Sequence, residues 1–181
     1  GGTESMSQAP HVIYGARTSM AVGFIPMILI LLIGTTIGML AGYFGGRLDN
    51  FLMRITDIVY AFPDLLFFII MITALRDTWI GGLLNGLALL FISLALVSWV
   101  TVARLVRGQV LSIKEKEYVE AARCIGATPS RIMLQHIFPN ALAPIIVAAA
   151  FIVPASIVTE AVLGYLGIGV RPTMDPSAPF P

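Results

Sequence analysis

The segment MAVGFIPMILILLIGTTIGMLAGYF, residues 20–44, decides the fold because it is long, apolar and free of charged side chains. A helix that crosses a membrane needs about 20 predominantly apolar residues. Three more stretches meet this requirement: 55–75, 83–106 and 140–164. Each is too long for an ordinary strand and lacks the alternation of a barrel strand. The sequence therefore predicts an all-α, polytopic membrane protein with four helical spans.

The composition agrees with a lipid environment. The chain has 181 residues, of which 57% are hydrophobic and 12% are charged, whereas soluble domains have about 45–50% and about 25%. The net charge of +1 gives no electrostatic reason to expect a nucleic-acid partner. The single Cys124 and the distant His11 and His136 form no ligand cluster, so we expect no metal site.

The basic residues predict the topology. Three of them, Arg17, Arg76 and Arg171, fall on one side of the predicted spans. The other eight flank the two opposite connections: Arg47, Arg54, Arg104, Arg107, Lys114, Lys116, Arg123 and Arg131. Because the cytoplasmic loops of membrane proteins carry more Lys and Arg than the external ones, we expect external segments at 1–19 and 165–181. The spans of 20–106 and 140–164 then enclose a cytoplasmic loop at 107–139.

Glycines recur at every fourth position of the first span, at Gly34, Gly38 and Gly42, and the spacing continues to Gly46. Small residues with this spacing share a helix face and let a second helix approach closely. The alternative is that membrane helices simply tolerate glycine. We favour a packing surface.

The second span contains a proline and a carboxylate at adjacent positions. Pro63 removes a backbone donor from the predicted helix, and Asp64 places an ionisable group within a hydrocarbon-length segment. The pair is a candidate hinge or pathway element, along with polar Thr73, Ser93 and Ser98. Alternatively, the helix is only kinked, and Asp64 bonds freed backbone groups or a neighbouring helix.

The start of that span carries further polar residues. Asp49 or Asn50 can cap its first turn, and Arg54 and Asp57 are spaced to form an ion pair.

The loop of 107–139 carries the most information. Its composition predicts a helix at 113–125, a break at 126–129 and a second helix at 129–137, capped by Thr128 directly before Pro129. Pro139 and Asn140 are expected to end the loop at the membrane surface. The first helix should present Tyr118, Ala121, Ala122 and Ile125 on one side. We interpret the two helices as a docking element, although lodging at the lipid interface is the common alternative.

Several motifs in this loop resemble the EAA loop of bacterial ABC importer permeases. They are Glu120-Ala121-Ala122, then Gly126, then the segment HIFP at 136–139, whose spelling is similar to the C-type subunit of the dipeptide and oligopeptide branch. Segments at 13–19, 41–46, 53–63 and 159–170 resemble the same branch, so the likeness covers about residues 11–172. Pro154 departs from the family pattern.

The resemblance implies the transmembrane domain of a type I ABC importer in the bacterial or archaeal plasma membrane. The family's subunits usually have six spans, so the chain resembles spans two to five, with the first and last missing. The implied partners are a second permease subunit, two cytoplasmic ATPases, an external solute-binding protein and membrane lipid. The implied ATPase-coupling residues are Glu120, Ala121, Ala122, Gly126, His136 and Pro139.

The same resemblance implies a transport subunit that is not an enzyme. The sequence has no phosphate-binding loop of the form G-x-x-x-x-G-K-[ST] and no catalytic constellation. ATP and magnesium are therefore expected on the partner ATPases, and no cofactor is expected on this chain. A permease for nickel, glutathione or oligosaccharides is an alternative. Channels, secondary transporters and membrane scaffolds are alternatives of other classes.

Overall fold

A computed structural model describes residues 2–83 and 87–168, and the side chains of residues 20–80, 83 and 87–168. Within these residues every regular element is helical, which confirms the all-α prediction. The elements are α1 (Gly2–Phe44), α2 (Gly46–Tyr60), α3 (Asp64–Leu75), α4 (Trp79–Gly82), α5 (Leu87–Ile113), α6 (Glu117–Cys124), α7 (Pro129–Ile132), a π-helical turn (Met133–Ile137) and α8 (Phe138–Tyr165).

Helices α1 and α5 form the most extensive contact in the fold. A Cβ atom added to Gly34 would lie 2.6 Å from the Cβ of Val102, and one added to Gly38 would lie 2.6 Å from the carbonyl oxygen of Ala103. A Cβ atom added to Gly42 would lie 2.7 Å from the Cβ of Val110. The absence of side chains at these three positions therefore sets the distance between the two helices. Gly46 lies outside this interface and begins α2 with φ of +56°.

The predicted second span is two helices rather than one. Helix α2 ends at Tyr60, α3 begins at Asp64, and their axes differ by 79°. Pro63 is extended at ψ of 121° and provides no backbone donor, which explains why one helix cannot continue through it. Three helical segments are long and apolar enough to cross a membrane, Met20–Phe44, Leu87–Ile113 and Pro129–Tyr165, and the bent pair can supply a fourth crossing.

Two ion pairs fasten α2 to α5. The guanidinium of Arg107 donates from Nε and Nη2 to the two carboxylate oxygens of Asp49, at 2.5 and 2.6 Å. Arg104 Nη2 donates to Asp57 Oδ1 at 2.7 Å, and its guanidinium lies over the ring of Tyr60. The predicted capping role of Asp49 is therefore wrong: the helix starts earlier, after Gly45. Asp57 pairs across to α5 rather than along α2.

Several predicted helix ends differ from the observed ones. The third span does not end at residue 106, since α5 continues to Ile113, and α1 extends back to Gly2. Pro154 and Pro144 both lie inside α8 without ending it. Each proline removes one backbone donor, and this loss of bonding is local to its own turn of the helix.

Candidate functional site

Helix α6 begins the loop element that was predicted to dock a partner. It is separated from α5 by a short non-helical linker, Lys114–Lys116, so the predicted helix start at residue 113 is wrong. Its end is closed by Gly126, whose N–H donates to the Arg123 carbonyl while the N–H of Ala127 donates to the Ala122 carbonyl. Gly126 has φ of +81°, a conformation that glycine adopts without steric cost.

The exposed and buried faces of α6 differ from the predicted ones. Val119 and Ala122 are buried in a core cluster that also contains Val110, Ile132 and Ile137. Tyr118, Ala121 and Ile125 are exposed, and Ile125 retains 85% of its accessible surface. The expectation that Ala122 shares an outward face with these three residues is therefore wrong, because its methyl group packs inside the chain. We call Tyr118, Ala121 and Ile125 the docking face.

The second half of the element is continuous with the last span. Residues Pro129–Tyr165 form one unbroken helical segment, so the chain stays helical through Pro139 and Asn140, where the loop is predicted to meet the membrane. Pro139 has no N–H for the usual helical bond, and the turn before it is π-helical, with the Phe138 N–H donating to the Met133 carbonyl five residues earlier. Asn140 Nδ2 donates to the His136 carbonyl at 2.6 Å, which satisfies a further acceptor there.

Thr128 occupies the predicted capping position in extended geometry, directly before Pro129 at the first helical position. Its side chain makes no capping hydrogen bond to the backbone, and its hydroxyl lies 3.4 Å from that of Ser130. The start of the second helix is thus correctly predicted, but the hydrogen bond that motivated it is absent.

A charged recess of about 380 Å³ lies beside α6. It is lined by Tyr43, Lys114, Glu115, Glu120 and Arg123. Lys114 Nζ donates to the Gly42 carbonyl at 3.1 Å, and the guanidinium of Arg123 lies 5.6 Å from the centre of the Tyr43 ring. Sequence reasoning missed this link between α1 and α6, although the basic residues themselves were visible as topology signals.

The predicted coupling residues occupy different environments. Glu120, Ala121, Gly126 and Pro139 are exposed, His136 is half-buried, and Ala122 is buried. Glu120 lines the charged recess rather than the docking face. Cys124, at the last turn of α6, is also exposed. The structure thus brings Glu120 and Ala121 onto one short helix, with Gly126 at its end, and places His136 and Pro139 at the base of α8.

A second polar site lies between α3, α5 and α8. A cavity of about 260 Å³ is lined by Asp64 from α3, Ser98 from α5, and Ser156 and Thr159 from α8. Asp64 and Ser98 were both candidates for the pathway. Thr73 and Ser93 do not line this cavity, and each hydroxyl donates to a carbonyl of its own helix at 2.7 Å. Ser156 and Thr159 were not predicted because no spacing rule relates them to Asp64.

Comparison with known proteins identifies relatives of this chain. The family described as the binding-protein-dependent transport system inner membrane component matches residues 34–174. The oligopeptide transport system permease protein OppC of Bacillus subtilis (strain 168) is 43% identical over 156 residues, which are 86% of this chain and 48% of that protein. The dipeptide transport system permease protein DppC of the same strain is 40% identical over 158 residues, 87% of this chain and 47% of that protein.

The glutathione transport system permease protein GsiD of Pectobacterium atrosepticum is 36% identical over 164 residues, 91% of this chain and 52% of that protein. The chain therefore spans about half the length of the curated relatives it matches.

Solved structures share the fold. An inward-facing structure of the MetNI methionine ABC transporter matches with a TM-score of 0.72 and 23% identity, covering 87% of this chain and 75% of the matched chain. At this identity the likeness supports the architecture alone. The predicted resemblance to ABC importer permeases is confirmed by the family match and the relatives together. The chain thus belongs to the family of binding-protein-dependent transport system inner membrane components, as a multi-pass protein of the plasma membrane.

Proposed function

We propose that this chain is a transmembrane subunit of an ATP-driven importer of di- or oligopeptides and passes the motion of its ATPases to the transport pathway. The observation that carries the proposal is the exposed docking face on α6, a helix whose opposite, buried side packs against a helix that continues without interruption from Pro129 to Tyr165. A push on α6 is transmitted through the buried contacts of Val119 and Ala122 to that helix. Motion at a cytoplasmic surface can in this way change access within the membrane.

The relatives support a peptide substrate. Two of those quoted above are named as permeases for oligopeptides and for dipeptides, and the third is named as a permease for glutathione. The alternatives of nickel, glutathione and oligosaccharide import are distinguished by direct uptake measurements with each solute.

The proposed assembly contains a second permease subunit, two cytoplasmic ATPases that hold ATP and magnesium, and an external binding protein. We place the loop and the charged recess on the cytoplasmic side, consistent with the cluster of basic residues there. Within this assembly, Ala121 lies on the docking face, and Glu120 and Arg123 supply charges at its edge. Gly126 and Pro139 shape the element instead: Gly126 ends α6, and Pro139 follows the π-helical turn.

Coupling between the ATPase and the permease requires a difference in binding free energy. A partner shifts the permease between inward and outward access only if it binds the two states with different affinity. The docking face should therefore contact the ATPase with different strength before and after ATP binding.

Substitution Ala121→Trp tests the proposal. Ala121 is exposed, so a large side chain is tolerated by the folded chain but separates α6 from the ATPase. We expect peptide-stimulated ATPase activity of the reconstituted transporter to fall at least about tenfold, equivalent to about 1.4 kcal/mol of lost contact. Ser112→Trp, at an exposed position on α5, is the matched control. Normal coupling in Ala121→Trp would contradict the assignment of the docking face.

A channel or secondary transporter is tested with the same preparation. If the chain is a permease subunit of an ATP-driven importer, vesicles that contain it without ATPases should show no peptide uptake. Uptake that is independent of ATP would contradict the proposal and support the alternative class.

A further inference from the structure

The cavity between α3, α5 and α8 combines one carboxylate with several hydroxyl groups. Asp64, Ser98, Ser156 and Thr159 line it, and apolar side chains such as Phe68 and Leu94 form the rest of its wall. The lining contains no lysine, arginine or histidine. Asp64 is exposed in this chain, and no positively charged side chain of the lining competes with a ligand for its carboxylate. The cavity is therefore suited to a positively charged ligand group.

The position of the carboxylate also indicates a ligand site. Asp64 begins α3 directly after the break at Pro63, where the axes of α2 and α3 differ by 79°. Discontinuous helices that bring polar groups together inside a membrane domain are a recurring way to build a transport site. Ionisable residues within membrane segments are costly and usually functional. Here the break brings a carboxylate next to hydroxyls of two continuous helices.

The donor set distinguishes between classes of cation. The polar side chains of the cavity offer only oxygen atoms, from one carboxylate and three hydroxyls. Nickel and related metals favour imidazole and thiolate ligands, and the lining has neither. A primary ammonium group, in contrast, donates hydrogen bonds to carboxylate and hydroxyl oxygens alike. The chemistry thus favours an ammonium group over a transition metal.

The size of the cavity limits how much of a ligand it can hold. Its volume of about 260 Å³ is just below the range of about 300–1,000 Å³ for pockets that enclose drug-sized ligands. It therefore fits one end of a peptide, with the first side chain against Phe68 and Leu94, rather than a whole oligopeptide.

We infer that this cavity holds the amino-terminal ammonium group of a transported peptide, with Asp64 as its counter-ion and the hydroxyls of Ser98, Ser156 and Thr159 as additional acceptors. The inference rests on the proposed function. It makes Asp64 a specificity residue within the membrane, acting after the external binding protein has released the peptide.

The test compares uptake of trialanine with uptake of its deamino analogue, in which hydrogen replaces the amino group. The complete transporter is reconstituted with the same binding protein throughout, so the preference of that protein cancels between variants. Asp64→Asn removes the charge and keeps the shape. We expect it to raise KM for trialanine about tenfold or more and to leave KM for the deamino analogue unchanged. Asp64→Glu should retain most of the discrimination.

The matched control is Asp77→Asn, the same change at an exposed carboxylate beyond the end of α3 that does not line the cavity. It should behave as the unsubstituted chain. Equal effects of Asp64→Asn on both peptides, or no effect on either, would overturn the inference while leaving peptide transport intact. If the unsubstituted transporter imports neither peptide, the proposed function fails, and the inference fails with it. The two failures are therefore distinguishable.

Discussion

Helices α5 and α8 are similar in length and apolarity, yet the chain surrounds them very differently. In the most apolar part of each, 67% of α5 is buried by the rest of the chain but only 17% of the helical segment that ends in α8. Helix α5 is enclosed by α1, α2, α3 and α8, whereas α8 contacts mainly α1 and α5. The position of α5 is therefore fixed by this chain, while much of the surface of α8 is left for lipid or another subunit.

The loop element lies between these two helices and is joined to them unequally. On the α5 side, the non-helical linker Lys114–Lys116 separates α5 from α6. On the α8 side, residues 125–128 also interrupt the helix, but Val119 and Ala122 pack with Ile132 and Ile137 of the helix that continues from Pro129. A displacement of α6 is consequently absorbed at the linker on one side and transmitted on the other. Under the proposed function, we therefore expect α8 to be the moving helix and α5 the fixed one.

The contact between α1 and the fixed helix α5 should be disrupted most severely by Gly38→Leu. A Cβ atom at this position would lie 2.6 Å from the Ala103 carbonyl oxygen, a backbone atom that cannot move alone. Overpacking of this kind costs about 1–3 kcal/mol or more, and we expect most of the protein to be lost from the folded fraction after detergent extraction. Gly108→Leu, where an added Cβ meets nothing within 4 Å, is the control and should preserve folding. Equal yields of the two variants would contradict the close contact of α1 and α5.

The unequal connections are tested by inserting Gly-Gly-Ser at two places. After Gln135, inside the continuous helix, the insertion interrupts the path from the loop to α8. We expect peptide-stimulated ATPase activity to fall at least about tenfold, a loss of about 1.4 kcal/mol of coupling. After Glu115, the same insertion lies in a segment that is already non-helical, and it should reduce activity much less. A larger loss from the linker insertion would reverse the assignment of fixed and moving helices.

The last prediction concerns the ion pairs that hold α2 against α5. Asp49→Asn removes the charge from a bidentate pair in which the carboxylate is largely buried, and a hydrogen bond to a charged group contributes about 1.5–3 kcal/mol. Asp57→Asn removes a pair that is exposed on both sides, where the contribution is about 0–1 kcal/mol. The free energy of unfolding, measured in mixed micelles, should therefore fall more for Asp49→Asn than for Asp57→Asn. Equal losses would mean that burial does not strengthen the Arg107 pair.

Much of the fold was predictable because lipid imposes simple rules. A span must be long, apolar and helical, so residues 20–44 and 140–164 were assigned close to their observed positions. Glycines spaced by four residues indicated a close helix contact, and α5 meets the same residues in the structure. The turn at Gly126 was predictable for the same local reason, since it depends on one residue and its immediate neighbours.

The remaining differences depend on contacts between distant residues. Arg107 was visible only as a basic residue near a span end, and nothing local indicates that Asp49 faces it across 58 positions. The outward position of Ala121 and the burial of Ala122 depend on how α6 packs against Ile132 and Ile137. The break of the second span is different in kind, because it lies at Pro63, which the sequence already indicates as a candidate hinge or kink. Ser156 and Thr159 join Asp64 only because α3 and α8 meet at one cavity.

The unbroken helix from Pro129 to Tyr165 has a mechanical consequence. Residues 129–139 give it an arm of about 16 Å before the predicted span begins, and residues 140–165 give an arm of about 39 Å across the membrane, at 1.5 Å per residue. If the helix tilts as a lever about the membrane surface, the far end moves roughly twice as far as the end beside α6. Under the proposed function, a small displacement at the ATPase would then be amplified at the external end of the pathway.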